Sequence, residues 1–366
     1  MKFFNLGIRP KQNPGQIPHV RAATAHLIGP GKLRCQAEHL VFETEGSKQI
    51  RLDIEGLKDV LAFGNVSFTA DAIRLLHHHG ITLSLLNRYG TYLCGSLAQD
   101  SSDRALTRLL QFQAYEDTVW QLAYARQTVI DKLASAQASL RHYQRQGKKL
   151  TPSIIQQFDL SLESARSASS VEQLRGVEGH AASLWFGEYG KLFGTRWKFD
   201  NRNRRPPRDP INSLLSLGYM QLYRRCVSRL EASGYEASLG ALHEFRPGRM
   251  SLACDLMEPL RIPVVDRWVV GICQQSMVKP HDFDTTAENG VRLKADRLGD
   301  ILGRFEQWWH QGLFCHILDQ QVARFRDSLR ERVSSGTSRA AAYLKLQASQ
   351  SAQAGKQSGT PEVYEP

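Results

Sequence analysis

The sequence lacks the features that mark membrane, secreted and disulfide-rich proteins. No apolar run reaches the roughly 20 residues that a membrane-spanning helix needs, and the opening segment MKFFNLGIRPKQ is too short and too polar for a secretory signal. The 6 cysteines include no CxxC pair, which favours reduced thiols in a protein core over a zinc ribbon or a disulfide framework. We therefore expect a cytoplasmic protein without membrane association.

Nucleotide-binding signatures are also missing. Gly31 and Lys32 resemble the end of a phosphate loop, but that signature needs a glycine where His26 stands and Ser or Thr where Leu33 stands. No GxGxxG motif follows a predicted strand. The sequence thus gives no support to nucleotide hydrolysis.

Acidic residues are in deficit. The chain has 36 Asp and Glu against 47 Lys and Arg, which gives a formal net charge of +11 and a pI near 9.4. Such a balance indicates a polyanionic partner. We favour a nucleic acid over an anionic membrane, because the chain contains neither a polybasic amphipathic helix nor a lipidation motif.

Residues 1–97 read as short strands separated by glycine-containing turns, with a single convincing helix at Ala70–His79. Thr69 or Asp71 is expected to cap the start of this helix. The histidines His77–His79 suggest a metal site, but polar and cationic residues suit a helix end, so we assign them to that role. The predicted strands are Arg21–Ile28, Leu33–Phe42, Gln49–Ile54, Leu57–Val66, Ile81–Leu86 and Tyr92–Leu97.

From residue 101 the apolar residues recur with helical spacing, and this pattern continues to residue 333. The last segment, 347–366, is rich in polar residues and is predicted to be disordered. The length of 366 residues accommodates two domains. We therefore predict an α+β protein, with a small β-rich N-terminal domain (1–97) followed by a larger all-α domain (101–333).

The segment Ala241–Arg261 carries the most suggestive combination of side chains. Asp255 and Glu258 are three residues apart, so a helix places them on one face. His243 precedes a Pro-Gly turn that can fold it back over that face. Glu178, between two glycines on another predicted helix, needs a partner wherever it is buried. Imidazole and carboxylate ligands together suit Mn²⁺, or Mg²⁺ where carboxylates dominate.

A second interpretation of this segment is structural. Asp255 and Glu258 could pair with Arg249 and Arg261, which would leave His243 as a turn-capping residue. The spacing of these residues does not separate the two interpretations.

The densest basic patch is the loop Lys198–Arg208, KFDNRNRRPPR, in which Arg202, Arg204 and Arg205 precede two prolines. We expect its charges to project outward, where they suit contacts with a phosphate backbone. On local grounds, a solvated loop that only links two helices is equally compatible with this pattern.

Four stretches resemble the motifs of the CRISPR-associated adaptation integrase family, the near-universal integrase of these systems. In the final stretch His, Gly-Arg, Ser-Leu, Asp-Leu and Glu-Pro-Leu-Arg arrive in the order typical of that family. The stretches are GNVSFTADAIRLLHHHGITLSLLNRYGTYLCGSL (64–97), RGVEGHAASLWF (175–186), RRPPRDPINSLLSLGYMQLY (204–223) and LGALHEFRPGRMSLACDLMEPLRIPVVDR (239–267).

The resemblance implies a metal-dependent DNA integrase and endonuclease. Its metal ligands correspond to Glu178, His243 and Glu258, with Asp255 as a further acidic catalytic position near the metal, either as an alternative ligand or behind the ligands. The implied cofactor is Mn²⁺ or Mg²⁺. The implied reaction is attack by protospacer 3′-hydroxyls on repeat DNA, a transesterification without ATP.

The resemblance also implies partners. They are double-stranded and branched DNA, a second copy of the chain bound through the N-terminal domain, and a small second CRISPR-associated protein that completes a heterohexamer. The candidate contacts to DNA phosphates are Arg202, Arg204, Arg205 and Arg249, although Arg249 could instead support the acidic helix.

Two rival functions remain at this point. A non-catalytic DNA-binding scaffold would need only the basic loops, and the complete set of Glu178, His243 and Glu258 argues against it. A metal phosphohydrolase acting on small substrates would need no extended basic surface, so the net charge argues against it.

Overall fold

A computed structural model describes residues 19–20, 24–44, 49–90, 93–97, 104–203, 206–286 and 290–334. Within these ranges, the helices are all too short or too polar to cross a membrane. The predicted tail at 347–366 lies outside the described residues, as do Arg204 and Arg205 of the basic loop.

The N-terminal region forms two sheets. The first has the strand order β1-β5-β4-β3-β7, and the second has the order β2-β6-β8-β9, in which only the last pair is antiparallel. The elements in chain order are β1 (His19–Val20), β2 (Thr24–Ile28), β3 (Gly31–Gln36), β4 (His39–Thr44), β5 (Gln49–Leu52), β6 (Asp59–Phe63), β7 (Val66–Phe68), α1 (Ala70–His78), β8 (Thr82–Leu86) and β9 (Leu93–Leu97).

One of the predicted strands, Leu33–Phe42, corresponds to two strands in the structure. The run Leu33–Phe42 folds as the β3–β4 hairpin, because Ala37 and Glu38 both adopt positive φ angles, 46° and 60°, and reverse the chain. The helix α1 agrees with its prediction: the Thr69 side chain accepts the backbone N–H of Ala72.

Helices dominate the rest of the chain. They are α2 (Arg104–Tyr115), α3 (Thr118–Arg145), α4 (Ile154–Ser167), α5 (Val171–Tyr189), α6 (Pro210–Ala232), α7 (Ser251–Met257) and α8 (Arg267–Gln274). A hairpin of β10 (Phe283–Thr286) and β11 (Gly290–Leu293) precedes α9 (Ala295–Gln311) and α10 (Phe314–Ser334). The predicted α+β class is confirmed. The second region was predicted to be all-α, but it contains this β-hairpin.

Between α7 and α8 the chain leaves the regular α-helix. A 3₁₀ turn spans Glu258–Leu260, and a wider π-helical stretch spans Arg261–Asp266. Proline lacks an N–H group, so Pro259 and Pro263 each remove a donor from the regular hydrogen-bond ladder. Glu258 is the first residue of this irregular stretch.

The second sheet joins the hydrophobic core of the helical region, because its Leu61, Phe63 and Leu86 belong to the same buried cluster as the helices. The rest of the N-terminal core, which includes Leu33 and Leu76, forms a separate buried cluster. A buried polar group lies at this junction, where Glu306 of α9 contacts His26 of β2 (3.0 Å, Oε1 to Nε2) and accepts a hydrogen bond from Arg225 of α6. Burial lowers the pKa of His26 despite the opposing effect of Glu306.

Helix α3 is the centre of the helical region. It packs against α4, α5, α7 and the turn at Glu258–Leu260. Its buried face includes Ala125, Val129, Leu133 and Ala136. The segments that carry Glu178, Asp255 and Glu258 therefore pack against α3.

Candidate active site

The structure brings together all four residues that were predicted to form a catalytic site. Glu178 lies on α5, His243 on the loop after α6, Asp255 on α7, and Glu258 on the turn that follows α7. The Nδ1 atom of His243 is 2.6 Å from Asp255 Oδ1, and its Nε2 atom is 3.8 Å from Glu258 Oε1. Lys132 of α3 joins Glu178 to Glu258.

Asp255 organises the loop that carries His243. Its side chain is fully buried, and Oδ2 accepts the backbone N–H groups of Ala241 (2.6 Å) and Leu242 (3.0 Å). The other oxygen, Oδ1, accepts the backbone N–H of His243 at 3.0 Å in addition to the ring contact. One carboxylate therefore fixes both the backbone of the loop and the orientation of the imidazole.

The loop can approach Asp255 this closely because residue 240 is glycine. A Cβ atom at Gly240 would lie 2.8 Å from Asp255 Oδ2 and 2.7 Å from the carbonyl carbon of Ser251. By contrast, a Cβ at Gly176 or Gly179, beside Glu178, would meet open space. Close packing around a glycine is thus found at Gly240 and not at the two glycines that flank Glu178.

The contact with Asp255 determines which nitrogen of His243 faces the site. A carboxylate accepts, so Nδ1 is the donor in this contact, and Nε2 is left facing Glu258 Oε1. Metal-binding histidines in proteins are typically held in this way by a carboxylate on the other ring nitrogen. The orientation of His243, with Asp255 behind it, is compatible with a metal ligand.

Lys132 is a site residue that the sequence interpretation missed. Its Nζ donates to Glu178 Oε1 and, at 2.5 Å, to Glu258 Oε2. The Lys132 side chain is only 10% exposed, whereas that of Glu178 is 24% exposed. Glu178 is therefore less buried than expected, and the partner that it needed is a lysine.

Glu258 is held as an anion in a buried position. Burial alone would raise its pKa, but the positive charges of Arg261 and Lys132 outweigh this effect and lower the pKa to about 2. Arg261 Nε is 3.0 Å from Glu258 Oε1, and the Arg261 guanidinium lies over the ring of Tyr219 at 5.1 Å. The alternative interpretation, in which arginines pair with these carboxylates, was therefore partly right, because Glu258 does pair with Arg261.

Arg175 connects two segments of the site. It lies one turn before Glu178 on α5, and its guanidinium donates to the carbonyl of Leu242 at 2.7 Å and to Glu244 at 2.6 Å. These bonds attach the residues on both sides of His243 to the helix that carries Glu178. Lys132 is a cation at an inward-facing helical position, and that pattern is the sequence signal that could have identified it. The Arg175 side chain is 33% exposed and carries no such signal.

A small cavity of about 60 Å³ lies next to the site. Its lining includes Lys132, Glu178 and the buried Asp266. Trp185 Nε1 and the Tyr219 hydroxyl donate to Asp266 at 2.7 and 2.5 Å. Burial nonetheless raises the pKa of Asp266 to about 6.

The residue types at the site suit a divalent cation. Two carboxylates and an imidazole lie in one cluster, and these are the ligand types of Mn²⁺ and Mg²⁺ sites. Among the described residues, however, no three His, Cys, Asp or Glu side chains stand in ready-made ligand positions. The Lys132 ammonium instead lies between Glu178 and Glu258, in the place that such a cation would take.

The predicted DNA-contact residues are in different situations. Arg202 does not project outward as expected, because its guanidinium donates to Asn212 Oδ1 (2.7 Å) and Ser216 Oγ (3.3 Å) and lies 5.4 Å from the Tyr219 ring centre. Arg249 is half-buried near the Cys254 thiol, whose pKa burial raises. Contact of either arginine with DNA stays a prediction.

The chain is similar to proteins of one family along most of its length. The family model described as CRISPR associated protein Cas1 matches residues 26–307. The protein named CRISPR-associated endonuclease Cas1 3 from Thermus thermophilus is 35% identical over 268 residues, which are 73% of this chain and 78% of that protein. CRISPR-associated endonuclease Cas1 1 from Thermodesulfovibrio yellowstonii is 30% identical over 294 residues, which are 76% of this chain and 89% of that protein.

Solved structures share the fold. A Cas1 protein from Thermotoga maritima matches with a TM-score of 0.72 and 23% identity, covering 84% of this chain and 96% of that one. A casposase bound to integration product matches with a TM-score of 0.68 and 22% identity over 80% and 82% of the two chains. A chain of a partial Cas6-RT-Cas1–Cas2 complex matches with a TM-score of 0.61 and 22% identity over 86% and 97%. The chain therefore belongs to the Cas1 family of CRISPR-associated proteins.

Proposed function

We propose that this protein is the integrase subunit of CRISPR adaptation, which joins the 3′-hydroxyl ends of a DNA fragment to the repeat DNA of the array. The observation that supports the proposal is a cluster in which Lys132 links Glu178 to Glu258 and His243 Nε2 lies 3.8 Å from Glu258 Oε1, in a member of the Cas1 family. Relatives named as endonucleases support phosphodiester chemistry, and the fold shared with an integration complex supports strand transfer.

In this proposal a divalent cation, Mn²⁺ or Mg²⁺, is bound by Glu178, His243 and Glu258. Such an ion supplies charge neutralisation at the phosphate and polarisation of its oxygens. A cation is needed because two carboxylates would otherwise repel a phosphodiester. The same residues would account for cleavage of branched or single-stranded DNA with water in place of the 3′-hydroxyl.

The residues of the chain itself supply orientation and charge. Asp255 keeps the imidazole of His243 turned towards the carboxylates, so no reorganisation is needed when the substrate binds. Arg261 keeps Glu258 ionised in a position that excludes water. Arg175 holds the loop of His243 against α5 and so keeps the imidazole at a constant distance from Glu178.

The partner in this proposal is double-stranded or branched DNA. The net charge of +11 favours a polyanion, and the basic loop at 198–208 directly precedes α6, whose Tyr219 stacks on Arg261 beside the site. We assign phosphate contacts to Arg204, Arg205 and Arg249, and to Arg202 wherever DNA can displace its internal hydrogen bonds.

We further propose that the chain works as a homodimer, joined through its N-terminal strands, with the small Cas2 protein in a heterohexamer. The likeness to a chain of a Cas1–Cas2 complex supports this assembly. Because the array is part of the genome of the cell, the proposed site of action is the cytoplasm.

The proposal is tested by strand transfer from a labelled duplex into a plasmid that bears a repeat array. Purified protein and its Cas2 partner are assayed in Mn²⁺, Mg²⁺ or EDTA, with duplexes that end in a 3′-hydroxyl or in a dideoxynucleotide. Glu258→Gln removes one charge from the site, and Glu163→Gln on the exposed face of α4 is the matched control.

We expect joined product only with a divalent ion, only with a 3′-hydroxyl, and only in the wild type and the Glu163→Gln protein. Groups that merely support metal ligands contribute about 10- to 100-fold, so the loss at Glu258 is expected to exceed 100-fold. Tight DNA binding without joining under any ion would instead indicate the non-catalytic scaffold. Cleavage of nucleotides but not of DNA would indicate a phosphohydrolase.

A further inference from the structure

The role of Lys132 follows from its position on α3. The buried face of that helix includes Val129, Leu133 and Ala136, and Lys132 lies on the same face with its side chain 10% exposed. An ammonium group in such surroundings is costly unless it is paired. Here it is paired twice, with Glu178 and with Glu258.

The two carboxylates also depend on the lysine. Glu258 is 2% exposed, so little water screens its repulsion from a neighbouring carboxylate. Arg261 approaches only Oε1 of Glu258, whereas Lys132 contacts Oε2. The ammonium is therefore the one cation that contacts both Glu178 and Glu258 in the described part of the chain.

A divalent ion and the ammonium cannot occupy this place together. The Nζ atom lies 2.5 Å from Glu258 Oε2, and an Mn²⁺ or Mg²⁺ ion would sit about 2.0–2.2 Å from the same oxygen. A protonated lysine has three donors and no acceptor, so it cannot join the ion as a ligand. The flexible four-carbon stem of lysine allows it to withdraw from the carboxylates.

We propose that Lys132 is an internal counterion that competes with the divalent ion for Glu178 and Glu258. It holds the two carboxylates close together in the metal-free protein, and it must leave at least one of them when the ion binds. The site therefore pre-exists without metal, and its affinity for metal is weaker than its ligands alone would give. This inference rests on the metal site of the proposed function.

The test compares Mn²⁺ binding to full-length wild type and to Lys132→Met, which has an unbranched side chain one heavy atom shorter and lacks the charge. Titration calorimetry gives the dissociation constant, and thermal unfolding is recorded in EDTA and in Mn²⁺. Lys149→Met, at an exposed lysine, is the matched control. Lys132→Gln, which retains a donor, is measured in parallel so that a failure of the methionine variant to fold does not end the test.

We expect Lys132→Met to unfold at a lower temperature in EDTA but to bind Mn²⁺ more tightly than the wild type, because no ammonium group has to be displaced from the two carboxylates. Mn²⁺ should then raise its unfolding temperature more than that of the wild type. Lys132→Gln should change in the same directions by less, and Lys149→Met should not change.

Equal or weaker Mn²⁺ binding in both Lys132 variants would overturn the competition. Mn²⁺ binding by the Lys132 variants but not by the wild type would show that the ammonium excludes the ion completely, which supports the competition. If no protein binds Mn²⁺, and Glu258→Gln is identical to wild type in this assay, the metal site itself is wrong and the proposed function fails with it. Tight wild-type binding that Glu258→Gln abolishes and the Lys132 variants do not alter would overturn only the role of Lys132.

Discussion

Replacing Asp255 by Asn changes a single atom of a fully buried side chain, and the geometry predicts a large effect. Each carboxylate oxygen accepts two hydrogen bonds, Oδ2 from the backbone of Ala241 and Leu242, and Oδ1 from the backbone and ring of His243. An asparagine has one acceptor oxygen. In either orientation, its NH₂ group faces two donors and loses both bonds.

The magnitude follows from the number of bonds lost. A hydrogen bond to a charged group contributes about 1.5–3 kcal/mol, so two of them correspond to roughly 3–6 kcal/mol of the free energy of unfolding. Removing a buried charge also relieves its desolvation, which offsets part of this loss. We therefore expect a destabilisation near the lower limit, about 3 kcal/mol.

Urea denaturation followed by circular dichroism measures this change, provided that the free energy of unfolding depends on urea concentration with the same slope in wild type and variant. Asp327→Asn is the matched control, because the Asp327 side chain is 55% exposed. A second readout is Mn²⁺ affinity, which should fall by about 10- to 100-fold as His243 loses its orientation. A loss of stability below about 1 kcal/mol, with unchanged Mn²⁺ affinity, would refute the view that Asp255 organises the loop.

Three further predictions concern other parts of the site. The pKa of Asp266 is about 6 in the folded protein against an ordinary value of 3.8, so the folded state holds the proton more tightly and the wild type loses stability as pH rises from about 4 to above 6. The free energy of unfolding of Asp266→Asn, measured in urea titrations, should therefore rise by about 3 kcal/mol relative to wild type between pH 4 and pH 8. A difference between the two proteins that does not change with pH would contradict this. Gly240→Ala should cost about 1–3 kcal/mol in the same assay, because its Cβ would overlap Ser251; wild-type stability would show that the loop can shift. Charge reversal at Arg204 and Arg205 should weaken DNA binding and flatten its salt dependence, whereas an unchanged slope would place the loop away from DNA.

Much of the fold could be predicted because its signals are local. Helical spacing and the capping residue Thr69 placed a helix where α1 begins. The Ala37–Glu38 reversal was missed, since neither residue is typical of positive φ. The hairpin β10–β11 was missed as well, because its two short strands lie between strong helical patterns.

The sequence by itself determined the ligand types and three of the segments that carry them. The Asp255–Glu258 spacing, the position of His243 before a turn, and Glu178 on its own helix are all readable along the chain. The resemblance to the adaptation integrases rested on the same residues, and family membership is confirmed. These features are local or ordered along the chain, so they can be found without knowing the packing.

Only the tertiary structure decided how these residues are connected. Lys132 lies 46 residues from Glu178 and 126 from Glu258, and periodicity shows that its face is buried without showing what lies opposite. The placing of Asp255 behind His243, rather than beside Glu258, depends on the path of the loop after Gly240. Which charges meet inside a protein is decided by the packing of distant segments, and no local pattern in the sequence records it.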